Sequence, residues 1–462
     1  MKNKSNQIIL INIISTFVLQ GIAFITTPIF TRILGTSQYG IYSLFNSWVL
    51  ILTCVMGLSL SSSLGTGMYT YKDKYIEFRN SLLLTSLFIC ILQLVILSIF
   101  RKSISNFLGF SDNLIILIGI CSIGHYMVNY AQLCFIYEKK ALNNLILSVT
   151  VALFSVLLSI ILILKFNSDD KYLGRVYGTT VIYSIVSIIL FFALFLKKPV
   201  GLHSNYFKYG FVVGFPIVFH SLSQQILGQS DRVMMQMYNM STAEIGIYSL
   251  FYTLSSVLTT VLGALNNSWC PFYYDDVNEE RWEVLDRKCK NYIELFTVIA
   301  VGFLFLSREV SYLMADKSYK IGINILPILT LAVYFTFMYQ FPVNFEFFHK
   351  KTKIIAMGTV GAGIMNIFLN AIMIPQLGMY GAATATALSY LALFLAHYCI
   401  VINMKEHRYH LKITVFIPGI ISMFIAVIMF YMFSDLWYVR WAFGVAIGCF
   451  ELWHIYKRKS IF

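Results

Sequence analysis

The feature that most constrains this chain is a series of apolar runs, each about twenty residues long. A run of that length is what an α-helix needs to cross the hydrocarbon core of a bilayer, where lipid offers the backbone no hydrogen-bond partners. Only 12% of the 462 residues are charged and 58% are hydrophobic, whereas a soluble domain has roughly 25% charged residues. The sequence therefore predicts an all-α polytopic membrane protein with about fourteen spans. These spans are residues 8–31, 41–63, 80–100, 113–136, 144–164, 173–196, 208–236, 246–267, 291–314, 325–346, 354–374, 379–403, 413–433 and 436–456.

The distribution of basic residues predicts the orientation of these spans. Fourteen spans place both termini on one side, and the segments on that side hold 23 of the 34 lysines and arginines. Because cytoplasmic segments carry the excess of basic residues, both termini are expected in the cytoplasm, with the chain in the plasma membrane. The apolar run that follows the basic N-terminus is too long for a cleaved signal peptide and predicts a retained first span.

The remaining composition argues against several other classes. The net charge of +13 is spread in twos and threes between apolar runs, so there is no basic domain of the kind that binds nucleic acid. The eight cysteines contain no CxxC pair and no metal-ligand spacing, and neither a metal nor a cofactor is predicted.

Short echoes at a constant offset indicate an internal duplication. GIYSLF occurs at residues 40–45 and again at 246–251, and LGRVYGTT at 173–180 resembles LGMYGAA at 377–383, with offsets of about 205 residues. Six spans per half make the two halves parallel repeats, a design in which transporters bind substrate between the halves. The predicted divisions are an N-lobe at 1–200 with spans one to six, a C-lobe at 201–405 with spans seven to twelve, and two further spans with a basic tail at 406–462.

Span seven carries an unusual polar half. A charge at bilayer depth costs about 2.5–3.5 kcal/mol on insertion scales and normally faces a bundle interior or a water-filled cavity. At about 100° per residue, one side of this helix therefore predicts a polar cavity inside the membrane. The candidate cavity residues of span seven are His220, Gln224, Gln225, Gln229, Asp231 and Arg232. Span one repeats the pattern more weakly, with Asn12, Thr16, Gln20, Thr27 and Thr31 within about 100°.

Several of the charged candidates allow two interpretations. Arg32, at the end of span one, either extends to the lipid headgroups or contacts substrate or the other lobe. Asp231 and Arg232 either bind substrate or form a structural pair. Arg175, which opens span six, either anchors that span at the interface or contributes to the cavity.

Two further patterns give structural expectations. Glu346 precedes Lys350 by four residues, which is the favourable order for a helical ion pair; a proton-coupling carboxylate is the alternative interpretation of Glu346. His397 is expected to be a core histidine. The connection at about 270–290 places Trp282 and Leu285 at helical spacing, which predicts a short interfacial helix.

Two segments carry a family resemblance. TPIFTRILGTSQYGIYSLFNSW (27–48) and SDRVMMQMYNMSTAEIGIYSLF (230–251) resemble the openings of the two lobes in the polysaccharide transporter family of Wzx-type flippases. That family belongs to the MOP superfamily with the MATE exporters and the lipid II flippases.

The resemblance implies a MATE/MOP-like fold and a protein that is not an enzyme. Its implied role is to move a polyprenyl-pyrophosphate-linked oligosaccharide repeat unit from the cytoplasmic to the periplasmic leaflet, for O-antigen, capsule or exopolysaccharide synthesis. The expected partners are this lipid-linked oligosaccharide, membrane lipids, and a polysaccharide polymerase with other assembly proteins.

Two rival functions stay open at this point. A MATE-like antiporter would need an acidic coupling site deep in a lobe, and the spans contain few carboxylates. An O-antigen polymerase would typically carry catalytic residues on a large periplasmic loop, whereas the outer loops here are short.

Overall fold

The computed structural model describes residues 2–404 and 411–458, with the backbone alone at 2–10, 12–14, 16 and 17. Over this part of the chain the secondary structure is helical, without a strand. The chain forms two compact units, Met1–Gly246 and Ile247–Phe462. The all-α membrane fold that the sequence predicts is confirmed, and the predicted lobe boundaries stay a prediction.

The first unit is built from eight helices and the start of a ninth. They are α1 (Lys2–Val55), α2 (Leu64–Tyr71), α3 (Tyr75–Ile99), α4 (Arg101–Leu108), α5 (Asp112–Tyr137), α6 (Ala141–Ile163), α7 (Lys171–Phe195), α8 (Ser204–Met237) and the first residues of α9 (Thr242–Asn278).

The second unit contains the rest of α9 and six further helices. They are α10 (Trp282–Met314), α11 (Leu326–Phe348), α12 (Thr352–Leu377), α13 (Met379–Ile402), α14 (Ile417–Met432) and α15 (Trp437–Arg458). Its interior is aromatic: the Phe296 and Phe337 rings stack with centroids 4.2 Å apart, and Tyr292 lies 5.1 Å from Trp269.

Every predicted span overlaps a helix, but the structure differs from the prediction in three places. In the described part of the chain, ten segments are long and apolar enough to cross a membrane, and the count of fourteen stays a prediction.

The first two predicted spans share α1, which bends at Gly35 because that residue has a left-handed φ of 68°. The predicted interfacial helix is instead the first part of α10, whose Leu285 is buried in the second unit. The segment is helical as its spacing predicts, but its apolar side packs against protein and not against the membrane surface.

The second predicted span, 41–63, is interrupted. α1 ends at Val55, and Gly57, Leu58 and Ser59 all have φ between 50° and 56°, so a 3-10 segment Met56–Ser63 follows. Left-handed backbone costs a residue other than glycine roughly 1–2 kcal/mol. The Gln93 amide compensates: its Oε1 accepts from Gly57 N–H at 3.1 Å, and its Nε2 donates to Val55 C=O at 2.9 Å.

The glycines that open the two copies of the GIYSLF motif, Gly40 and Gly246, lie at a close helix crossing within the first unit. A Cβ on Gly40 would overlap the carbonyl oxygen of Thr242, and a Cβ on Gly246 would overlap that of Thr36. Glycine is required at both positions because the two backbones touch. The Ser37 and Thr242 hydroxyls add a hydrogen bond of 2.5 Å, so the first glycine of each copy is what the crossing requires.

Candidate functional site

The last turns of the polar side of α8 are packed against α1. Asp231 is 0% exposed and Arg232 is 5% exposed. Arg232 Nη1 donates to the Gly228 carbonyl at 3.0 Å and to Gln229 Oε1 at 3.1 Å, and the Ser47 hydroxyl donates to the same Oε1 at 2.9 Å. Arg232 and Gln229 therefore belong to a buried polar cluster, which holds the guanidinium against α8 and is joined to α1 by the Ser47 hydroxyl.

The earlier turns of the same side are more open. Gln224 is exposed, while His220 and Gln225 are half-buried. His220 Nδ1 is buried and has no hydrogen-bond partner in the described part of the chain. The predicted polar side of α8 thus divides into an open stretch rich in amides and a closed stretch that holds the charges.

The candidates on α1 differ in their exposure. Gln20 is half-buried and Arg32 is exposed, whereas the side chains of Asn12 and Thr16 lie outside the described residues. Thr27 is buried, and its hydroxyl donates at 2.7 Å to a carbonyl of its own helix. A hydroxyl satisfied in this way is a structural feature of the helix.

Arg175 has an aromatic environment. Its guanidinium carbon lies 3.9 Å from the Phe30 ring centroid and 5.1 Å from that of Tyr42, and its Nη1 donates to the Ser159 hydroxyl at 3.1 Å. In the described part of the chain no carboxylate makes a salt bridge with it. Cation–π contacts of this kind stabilise an arginine by about 0.5–2 kcal/mol, so Arg175 joins α7 to α1 and α6.

Sequence reasoning missed a buried amide cluster in the second unit. Asn370 Nδ2 donates to Asn366 Oδ1 at 3.1 Å, and Asn366 Nδ2 lies 3.4 Å from Thr386 Oγ1; all three residues are buried. The available signal was the pair of asparagines four residues apart in an apolar run, since that spacing places both on one side of a helix.

A second missed feature is the partner of Glu346. The structure pairs this carboxylate with His397 Nδ1, at 2.8 and 2.9 Å, instead of with Lys350. His397 is a buried core histidine as expected, but with a charged partner on another helix. The helical spacing rule considers only local neighbours, and His397 is 51 residues away.

One group of side chains has the composition of a metal site. Ligand atoms of Glu294, Glu451 and His454 lie within 4.8 Å of one another. Arg458, however, makes salt bridges to both carboxylates, at 3.1 and 2.5 Å. Its positive charge already occupies the place of a cation, so the group acts as an ion-pair cluster that joins α15 to α10.

The second unit also contains an apolar cavity of about 730 Å³ between α10, α14 and α15. Its walls are aliphatic and aromatic over most of their length, as at Val301, Phe305 and Met429. Lys290 and Glu294 lie at one end, near the start of α10. Such a cavity can hold a chain of apolar groups with a polar group beside it.

These features define a class: a polytopic helical membrane protein with polar side chains inside its helical units. Residues 6–273 match the family described as "Polysaccharide biosynthesis protein". The chain belongs to this polysaccharide biosynthesis family, which confirms the resemblance found in the sequence.

Individual proteins agree with this placement. An "Uncharacterized membrane protein" of Haemophilus influenzae is 23% identical over 388 residues, covering 78% of this chain and 90% of the relative. The lipid II flippase MurJ in an inward closed conformation is similar in fold, with a TM-score of 0.75, 18% identity and coverage of 97% of this chain and 99% of that one. An inward-facing multidrug MATE transporter of the MOP superfamily gives a TM-score of 0.64 at 14% identity, over 90% of this chain and 98% of that one. The fold is therefore that of the MOP-type flippases and transporters.

Proposed function

We propose that this protein is a flippase for polyprenyl-pyrophosphate-linked oligosaccharide repeat units. It would carry them from the cytoplasmic to the periplasmic leaflet of the plasma membrane by alternating access, for O-antigen, capsule or exopolysaccharide synthesis. Both termini would be cytoplasmic, and a polymerase and other assembly proteins would take up the product. The observation that carries the proposal is the polar side of α8, because a membrane helix keeps amides and an imidazole only where they are used or paired.

The chemistry of α8 fits an oligosaccharide. The side chains of Gln224, Gln225 and His220 lie in the open stretch and can both donate and accept hydrogen bonds, which many sugar hydroxyls require. Arg232 is the one arginine of α8, and Arg32 is the one arginine of α1. A guanidinium binds phosphate oxygens in a bidentate manner. The buried cluster around Arg232 would hold that guanidinium ready for the pyrophosphate.

The apolar cavity between α10, α14 and α15 supports a lipid-linked substrate. Its aliphatic walls match a polyprenyl chain, and burying such a chain is favourable by roughly 25 cal/mol per Å² of apolar surface. Membrane lipids would fill the same space in the absence of substrate.

The decisive experiment measures the glycolipid pool of a deletion strain and the leaflet in which it lies. We expect single polyprenyl-linked repeat units to accumulate on the cytoplasmic leaflet, with loss of the surface polysaccharide. Accumulation on the periplasmic leaflet would identify a polymerase instead, and an unchanged pool would exclude the flippase.

A variant of the open stretch tests the site itself. Replacing both Gln224 and Gln225 with alanine should reduce polysaccharide export while leaving protein levels unchanged, because neither side chain is in the buried cluster. The matched control is Gln132→Ala, a half-buried glutamine of α5 that donates to Ser148 of α6. Equal export by both variants would contradict a substrate role for this stretch.

The alternative is a MATE-like small-molecule antiporter. One observation favours it: the second unit does contain a fully buried carboxylate, Glu346. Export of a fluorescent cationic drug by the intact strain and its loss on deletion, with an unchanged glycolipid pool, would support this alternative.

A further inference from the structure

A cavity of about 360 Å³ lies in the first unit, where the end of α2 meets the first turns of α8. Its walls combine two tyrosine rings, an amide, an ammonium group and two aliphatic side chains. They are Tyr71 of α2 and Asn205, Lys208, Tyr209, Val212 and Val213 of α8. Aromatic and apolar walls with a few polar groups are typical of sites for small ligands.

The two tyrosine rings belong to an aromatic cluster of Tyr71, Phe78, Tyr206 and Tyr209. Tyr71 stacks on the buried Phe78, with ring centroids 4.6 Å apart. It meets Tyr206 and Tyr209 edge to face, at 4.9 and 5.3 Å. The Tyr209 and Thr70 hydroxyl oxygens are 3.1 Å apart. Because every ring packs against another, a ligand that stacks on this cluster meets a preformed surface, which lowers the entropic cost of binding.

The helix break after Val55 brings the two sides of the cavity together. The α8 backbone packs so closely against the break that a Cβ on Gly214 would overlap the Ser59 carbonyl oxygen. A Cβ on Gly67 of α2 would overlap the Phe78 ring, so the aromatic cluster lies against the α2 backbone as well. Left-handed backbone is costly and persists where the surrounding structure requires it. Here it leads α2 to the start of α8, where the cavity lies.

The polar groups of the cavity are not used by the fold. In the described part of the chain Lys208 makes no salt bridge, Asn205 makes no side-chain hydrogen bond, and both are exposed. Lys72 and Lys74, just after the end of α2, are exposed and likewise make no salt bridge there, and Asp73 is the one carboxylate between them. Three lysines against one aspartate leave a positive charge beside the cavity. An ammonium group without a carboxylate partner can bind phosphate as a point charge.

The cavity lies on the same side of α8 as its open stretch. Tyr209, Val213, Pro216, His220 and Gln224 follow one another at intervals of three or four residues, so they fall within an arc of about 80° on a helix. The distance along the axis from Tyr209 to His220 is roughly 16 Å. The segment after α2 and the segment before α8 are also both on the side that the basic residues predict to be cytoplasmic. A ligand that leaves the cavity along this side of α8 reaches the amides and imidazole of the open stretch next.

We propose that this cavity is the cytoplasmic entry site for the glycosyl phosphate part of the glycolipid. The sugar ring packs its C–H groups on Tyr71 and Tyr209, Asn205 hydrogen-bonds to the sugar hydroxyls, and Lys208 binds the phosphate. The ligand class is a pyranose sugar joined to a phosphate. This inference rests on the proposed function and adds to it the site that the headgroup occupies before it reaches the open stretch of α8.

The first experiment measures binding without transport. The full-length protein in phosphatidylcholine nanodiscs is mixed with glucose 1-phosphate, galactose 1-phosphate or N-acetylglucosamine 1-phosphate, and magnetisation transfer from the protein to the sugar protons is recorded over a concentration series. Lys208→Gln should weaken binding roughly three- to tenfold, because it removes a partly solvated contact between an ammonium group and a phosphate. Tyr71→Leu should weaken binding as well and reduce transfer to the ring protons. Absence of binding by all three sugar phosphates would overturn the proposal.

Each variant has a matched control. Lys102 is exposed and makes no salt bridge in the described part of the chain, like Lys208, but it lies on α4. Tyr177 of α7 is half-buried and stacks on Phe166 with centroids 6.1 Å apart. Lys102→Gln and Tyr177→Leu should bind the sugar phosphates as the wild type does. Equal losses in the variants and their controls would contradict a site at this cavity.

A second ligand separates a sugar from a phospholipid headgroup as the source of the phosphate. Glycerol 1-phosphate has the phosphate and hydroxyls of such a headgroup but no sugar ring. We expect it to bind more weakly than the sugar phosphates and to be insensitive to Tyr71→Leu, because it has no ring to pack on the tyrosine. Binding as tight as that of the best sugar phosphate would identify a phospholipid headgroup site and overturn the assignment to a sugar.

The second experiment measures whether the site is used in transport. The deletion strain is complemented with the wild type, Lys208→Gln or Lys102→Gln at equal protein levels, and the glycolipid pool of each leaflet is measured. We expect repeat units to accumulate on the cytoplasmic leaflet with Lys208→Gln alone. Export by Lys208→Gln equal to that of the wild type would refute an entry role. An unchanged pool in the deletion strain itself would count against the flippase function, and weaker sugar phosphate binding by Lys208→Gln would then still identify the cavity as a glycosyl phosphate site.

Discussion

The helix break in the second predicted span depends on one amide, and its removal gives a sharp test. Gln93→Leu keeps the approximate volume of the side chain and abolishes both of its hydrogen bonds, to Gly57 N–H and to Val55 C=O. Each buried backbone group left without a partner costs about 1–3 kcal/mol, so the two together should cost roughly 2–6 kcal/mol. Leu58 and Ser59 have left-handed backbone as well, which makes relaxation of the segment costly.

The assay is unfolding of the purified protein by sodium dodecyl sulfate in mixed micelles, followed by circular dichroism. Gln132→Leu is the matched control, because this half-buried glutamine makes a single hydrogen bond, at 2.8 Å, to the Ser148 side chain. We expect the control to lose about 1 kcal/mol. If Gln93→Leu destabilises the protein no more than the control does, the amide does not hold the break and our reasoning about this segment is wrong.

Three further predictions concern the first unit. Gly40→Ala should destabilise the protein by about 1–3 kcal/mol, because its Cβ would overlap a carbonyl oxygen; Gly21→Ala, with nothing within 4 Å, should be neutral in the same unfolding assay. Arg79→Gln should cost roughly 3 kcal/mol, since it leaves Glu138 without the guanidinium at 2.5 Å; a loss below about 1 kcal/mol would contradict the ion pair. Burial raises the pKa of Glu138, but the Lys140 hydrogen bond and the Arg79 charge outweigh it and lower the pKa below its usual value. The stability that the ionised Glu138 contributes is therefore present above the ordinary glutamate pKa and is lost as the pH falls through the lowered pKa. The unfolding midpoints of the wild type and Glu138→Gln, measured over a pH series, should converge only at acidic pH.

The membrane fold was predictable because its signals are local. Apolar runs of spanning length and the alternation of basic residues are properties of short segments, and each predicted span overlaps a helix. The break after Val55 was not predictable in the same way. Gly57 is one glycine among 27 in the chain, and the residue that makes the break tolerable, Gln93, lies on another helix.

The candidate site shows the same limit. The period of 3.6 residues places Gln224 and Gln229 on one side of α8, but it gives no means of telling their environments apart. That difference depends on α1, where Ser47 meets Gln229 and closes the later turns. Glu346 likewise has a helical neighbour in Lys350, and only the packing of α11 against α13 brings His397 within hydrogen-bond distance.

Intramembrane polar side chains fall into two groups: those whose hydrogen-bond partner is in their own helix, and those that link one helix to another. Hydroxyls such as those of Thr27 and Thr297 donate to a carbonyl four residues back in their own helix, so they place no demand on the rest of the fold. Gln93, Gln229 and Glu346 differ, because each is hydrogen-bonded to a residue or backbone segment outside its own helix. Their desolvation cost is offset only while those helices stay together. A movement that separates the helices must therefore offer each group water, an ion or a substrate in exchange, and the helices joined by these groups are where we expect ligand binding to change the conformation.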